Sequence, residues 1–179
     1  MYKFNEIVLT YKSTQLDDWK KGDKSLIPAV IEIPDDVLNQ QSYHFGEYFV
    51  LNYYMGKGWK GFVDYAIGDW EPNNKKYDNG RKVLEELFSY ARLSKIKSIR
   101  AGLLSGEPDV FLYKETGETL FLEVKKEQDK IFSEQLVCLA QIKAILKADV
   151  GVVYLKEESK TYTPNIYELD LDEHSGRVI

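Results

Sequence analysis

The sequence predicts an α/β or α+β protein with a mixed central β-sheet flanked by helices, and three observations predict it. Strand-like alternation or short apolar runs occur at 1–12, 108–113, 119–125 and 150–155. Apolar residues recur at helical spacing over 81–97 and 133–147. Two of the strands are joined by the short polar segment Lys114-Glu115-Thr116-Gly117-Glu118, a hairpin rather than a crossover helix, so the sheet is mixed.

Each element follows in order. Residues 1–12 and 26–33 read as strands, the second carrying Pro28 and therefore suited to an edge. Pro34-Asp35-Asp36 opens a helix, with an Asp as N-cap, that runs to Met55 and stops at Gly56-Lys57-Gly58. Trp59 to Ile67 is aromatic-rich and reads as a strand; 69–80 is a polar loop. A helix over Arg81 to Lys97 places Val83, Leu84, Leu87, Phe88 and Ala91 on one side. After the hairpin comes a helix over Ser133 to Lys147, with Leu136, Leu139, Ile142, Ala144 and Leu146 at near-helical spacing. Strands at 150–155 and 166–171 complete the chain. No repeat or linker divides it, so 1–179 is expected to be one domain.

Composition excludes several classes. A single cysteine, Cys138, rules out a disulfide framework and a multi-thiolate zinc site; within an apolar helix face it reads as a small buried hydrophobe. No apolar run approaches a membrane span, and the N-terminus lacks a signal peptide's apolar region, so the expectation is a soluble cytoplasmic protein without a membrane partner. The net charge of -5 speaks against nucleic acid until it is located. The last 23 residues carry two basic and six acidic groups, whereas 75–100 hold eight basic against three acidic. Phosphate binding needs only local positive charge, because exposed charges are screened over about 8–10 Å.

The hairpin carries the chemistry. With Gly117 in the left-handed position of the turn, Asp109 falls opposite Glu123. Alternation then separates an aliphatic face (Val110, Leu112, Leu120, Leu122, Val124) from a polar one bearing Asp109, Phe111, Tyr113, Thr119, Phe121, Glu123 and Lys125. Two facing carboxylates repel unless a positive group sits between them. A divalent cation suits that place, since Mg²⁺ takes one or two protein carboxylates plus water and phosphate oxygens. The competing reading makes Lys125 a plain ion-pair partner.

The string Gly106-Glu107-Pro108-Asp109-Val110, then Phe121-Leu122-Glu123-Val124-Lys125, then Asp129 and Gln135 at the head of a helix, resembles the VRR-NUC family of PD-(D/E)XK nucleases. The block from Gly46-Glu47-Tyr48 to Gly58-Trp59 is similar to the family's first block. The resemblance covers 44–156, about two-thirds of the chain, with 1–43 and the acidic 157–179 as additions. It implies a restriction-endonuclease-like core. It implies Asp109 and Glu123 as ligands of Mg²⁺ or Mn²⁺, Glu47 as a further acidic ligand, Lys125 as the catalytic lysine and Gln135 as a helix-borne residue adjoining the site. The chain departs from the pattern at Phe132, where serine is common, and at Lys126, where glycine is common.

The functional expectation is a metal-dependent nuclease acting on DNA, including branched or structured DNA. Lys75, Lys76, Arg81, Lys82 and Arg100 are the candidate backbone contacts, and a homodimer is expected if the substrate is symmetric. The alternative is a non-catalytic nucleic-acid-binding or protein-interaction module that keeps the fold. Glycoside hydrolysis by the carboxylates leaves Lys125 without a role. His44 reads as structural, Trp59 and Trp70 as packing residues with base stacking as the rival role, and Gly56, Gly58 and Gly61 form no phosphate loop. Glu123→Ala or Lys125→Ala is expected to abolish cleavage in a folded protein.

Overall fold

The structure, a computed structural model, describes residues 1–31, 35–39, 43–67, 74–101, 106–172 and 177–178. In chain order the elements are β1 (Tyr2–Tyr11), α1 (Ser13–Lys20), α2 (Asp35–Asn39), α3 (Phe45–Met55), β2 (Lys60–Phe62), a 3₁₀ turn (Lys75–Tyr77), α4 (Asp78–Leu87) and α5 (Tyr90–Arg100). The second half adds β3 (Val110–Tyr113), β4 (Thr119–Lys126), α6 (Ser133–Gln141) running into a π turn (Ile142–Leu146), β5 (Asp149–Glu157), β6 (Ile166–Leu169), β7 (Leu171–Asp172) and β8 (Arg177–Val178). Among the described residues no helix is long and apolar enough to cross a membrane.

Six strands form one mixed sheet in the order β2-β3-β4-β5-β1-β6. β2, β3 and β4 are antiparallel neighbours; β4, β5 and β1 run parallel; β6 returns antiparallel at the edge. Burying a parallel centre requires cover on both faces. Trp19, Phe45, Tyr48 and Leu51 from α1 and α3 pack on Val110, Leu112, Leu122, Val153 and Leu155. Leu84, Leu93, Ile96, Cys138 and Leu139 from the later helices, with Phe88 between α4 and α5, cover the other face through Phe111, Phe121 and Val152. The face that alternation marks as polar is therefore mostly core, and Phe111 and Phe121 stack across it at 4.6 Å.

The hairpin register agrees with the sequence reading: Val110 pairs with Leu122 and Phe111 with Phe121. Gly117 takes φ +93° and its N–H donates to the Lys114 carbonyl at 3.0 Å. Elsewhere the elements differ from expectation. Residues 26–31 form successive turns rather than a strand, with Ile27 N–H donating to Lys24 O and Ile31 N–H to Pro28 O; the rest of that expected strand, 32–34, lies outside the described residues. The expected 34–55 helix is two helices, and His44 before α3 has φ 61°. β2 occupies only Lys60–Phe62 of the expected 59–67 strand. The 81–97 helix begins earlier, at Asp78, and breaks at Phe88, whose extended backbone (φ -117°, ψ 141°) drops its ring onto Phe121 while Ala91 stays exposed. Neither break carries a proline or glycine, which is why periodicity ran through them. Trp70 lies outside the described residues; Trp59 is partly buried against the α3 side.

The C-terminal addition is tied to β1, itself an inner strand of the sheet, by a buried carboxylate. Glu6 of β1, 8% exposed, accepts hydrogen bonds from Tyr162 Oη (2.6 Å), Tyr167 Oη (2.6 Å), Asn165 N (2.7 Å) and Asn165 Nδ2 (3.4 Å). Burial pushes its pKa up, but the hydrogen bonds from the Asn165 backbone, Tyr162, Tyr167 and the Asn165 side chain outweigh it, leaving the group below the ordinary 4.5. A lowered carboxyl pKa contributes stability that is complete above the unfolded value and lost as pH falls through the folded one. Glu6→Gln is expected to cost about 2 kcal/mol at pH 7. The deficit relative to wild type should shrink below about pH 4, as read by thermal unfolding across pH.

Candidate active site

The G-x-P-D segment lies against the start of α6 because Gly106 has φ +88°, and a Cβ there would sit 3.1 Å from the Glu134 carbonyl oxygen. Only glycine meets both conditions without strain. The Pro108 carbonyl next accepts a hydrogen bond from the buried Tyr65 hydroxyl. These contacts set Asp109 at the entry to β3, where its Oδ2 accepts from Val124 N–H at 2.7 Å. The two carboxylates predicted to face each other across the hairpin thus reach it by different routes: Asp109 bonds the backbone of β4, and Glu123 extends from within it.

Glu123 is 1% exposed. Its Oε1 accepts from Lys125 Nζ at 2.7 Å and from Gln135 Nε2 at 2.5 Å. The Gln135 amide is fixed at its other end, since Oε1 accepts from Phe132 N–H at 2.9 Å. Helix α6 therefore closes its own N-terminus with the side chain that holds Glu123. Glu123 Oε2 is buried and has no hydrogen-bond partner among the described residues. An unmatched buried carboxylate oxygen costs stability, and a cation would satisfy it.

Desolvation pushes the Asp109 carboxyl well above the usual carboxylate range; the charges of Glu123 and Glu47 add to it, and Val124 N–H and Lys125 oppose it. Burial also raises Glu123, against the charge and hydrogen bond of Lys125. No hydrogen bond of ordinary geometry joins the two carboxyls, yet they lie near enough for a proton on Asp109 to ease the ionisation of Glu123. The pair holds a proton more readily than free carboxylates do and titrates as a unit.

Glu47, in the first turn of α3, points its field at the pair but bonds His44 Nδ1 at 3.0 Å. Among the described residues no three His, Cys, Asp or Glu side chains gather closely enough to hold a metal ion. The structure thus brings together Asp109, Glu123, Lys125 and Gln135, and leaves Glu47 outside their contacts. His44 serves the position of Glu47, a structural part. Cys138 is fully buried, which pushes its thiol up to about 12.

The basic residues divide. Lys75 and Lys82 are exposed. Lys76 pairs with Asp64 at 2.9 Å, and Arg81 reaches Asp78 at 3.4 Å. Arg100 is corrected: it is 4% exposed and donates to Gln141 Oε1 at 3.3 Å, so it is a core residue rather than part of a surface. Gly80 of α4 packs on Tyr65, whose hydroxyl bonds the Pro108 carbonyl.

Comparison with models of protein families and with curated proteins finds no match to this chain.

Sequence reasoning missed three residues around the site. Tyr65 lies outside every motif. Glu107 is half-buried and accepts from Ile67 N–H at 2.9 Å. Phe132 appeared only as a departure from a pattern, yet its ring centroid lies 6.0 Å from Lys125 Nζ.

Proposed function

We propose that the chain is a divalent-metal-dependent nuclease hydrolysing phosphodiester bonds in DNA, with a restriction-endonuclease-like core of the VRR-NUC kind. The observation that carries the proposal is the unpartnered, buried Glu123 Oε2 beside Asp109, with Lys125 on the opposite carboxylate oxygen. Two carboxylates meet the needs of Mg²⁺ or Mn²⁺, which takes its other ligands from water and phosphate. Every element the resemblance calls for carries its residue: Glu47 on a helix, Asp109 after Gly106-x-Pro108, Glu123-x-Lys125 on a strand, and Gln135 on the helix before β5.

When bound, the ion would supply an activated water at neutral pH and a counter-charge for the phosphate. The chain's own residues do the rest. Val124 N–H orients Asp109, and Gln135 fixes Glu123 through Oε1, which leaves Oε2 as the oxygen that would hold an ion. Lys125, anchored on Glu123, presents its ammonium where it can hold the attacking water or offset charge on the phosphate. Lys75 and Lys82, both exposed, would grip the backbone away from the ion.

Incubation with supercoiled, linear, branched and single-stranded DNA is expected to give cleavage in Mg²⁺ or Mn²⁺ and none in EDTA. Glu123→Gln should lower the rate at least ~10²-fold. Binding without cleavage under every metal condition would favour the non-catalytic module instead.

A further inference from the structure

Phe132 is 64% exposed and packs into neither hydrophobic core. Its backbone is nevertheless held in place. The Phe132 carbonyl accepts from Gln135 N–H (3.1 Å) and Leu136 N–H (3.2 Å), and its own N–H is bound by the Gln135 side chain. The residue is thus locked at the first turn of α6 by the same glutamine that fixes Glu123. The ring stands 6.0 Å from the Lys125 ammonium, within a nucleotide's reach of a phosphate held there. Lone apolar residues on a surface are common; this one is set apart because the glutamine that caps its backbone also holds Glu123.

We propose that Phe132 is a base-stacking platform, which takes the face of an unpaired nucleobase next to the phosphate held at Asp109, Glu123 and Lys125. The proposal rests on the nuclease reading for its ligand and adds a substrate preference to it. A base inside a duplex already stacks on its neighbours and offers no free face, whereas an unpaired one does. The preferred substrate is therefore a strand with unpaired bases at the cut.

The test measures binding of a labelled single-stranded oligonucleotide and its blunt duplex in Ca²⁺, an oxygen-seeking cation used in place of Mg²⁺. Phe132→Ala should weaken single-strand binding about tenfold. Phe132→Leu, apolar but not aromatic, should weaken it nearly as much, and Phe132→Trp should restore it. Duplex binding should change less than about twofold across the set. Unchanged single-strand affinity in Phe132→Ala, equal losses on both ligands, equal behaviour of the Leu and Trp variants, or no single-strand binding by wild type would each overturn the proposal. The readout needs no hydrolysis, so a wild-type protein that binds in this pattern but never cleaves would overturn the nuclease reading alone.

Discussion

Lys125→Ala is expected to destabilise the protein by about 3–5 kcal/mol at neutral pH, a fall in Tm of roughly 6–20 °C. Lys125 and Glu123 are both buried, with side-chain exposures of 10% and 1%, so removing the ammonium strands a carboxylate beside Asp109 in a low-dielectric site. This differs from the expectation of a folded, merely inactive variant, and the reason is burial that the strand pattern did not show. The sign of the pH dependence follows. Glu123 already has a raised pKa, and losing Lys125 removes the main influence lowering it. A raised carboxyl pKa gives stability that is complete below the unfolded value and lost as pH rises through the folded one. The deficit should therefore be small near pH 4 and largest above neutrality. Lys125→Met with Glu123→Gln, which leaves neither member of the pair charged, should recover most of the loss. Equal deficits in thermal unfolding at acid and neutral pH would refute the buried-charge explanation.

Asp109→Asn should act in opposite directions on stability and activity. In wild type without metal, the raised pKa of Asp109 marks a charge the fold holds at a cost. Asparagine keeps an oxygen to accept from Val124 N–H and removes that charge. The metal-free variant should gain about 1–2 kcal/mol, or roughly 2–8 °C in Tm, growing as pH rises. The stabilisation that saturating Mg²⁺ or Mn²⁺ gives wild type should vanish, and cleavage should fall at least ~10²–10³-fold. A variant less stable than wild type, or one still stabilised by metal, would contradict the assignment.

The hairpin was legible because two independent signals agreed: the aliphatic face of Val110, Leu112, Leu120, Leu122 and Val124, and Gly117 as the turn residue. That agreement fixed the register and so placed Asp109 near Glu123. The break at Phe88 was not legible, because an extended residue between two helices is chosen there by what its ring packs on. Residues 26–31 misled for a related reason: their apolar side chains are shared out among turns rather than along a strand. The Glu6 cage depends on Tyr162, Asn165 and Tyr167, far along the chain, and no local pattern joins them. In the site, alternation put Glu123 and Lys125 on one face, but the burial of that face by α6 and the part of Gln135 in positioning Glu123 are tertiary facts.

The central claim is that Asp109 and Glu123 together hold a divalent cation. Crystals soaked in Mn²⁺ and measured for anomalous scattering test it most directly. The account predicts a peak bridging an Asp109 oxygen and Glu123 Oε2, absent from Asp109→Asn crystals treated alike. No peak at saturating Mn²⁺, or one that touches neither carboxylate, would contradict it.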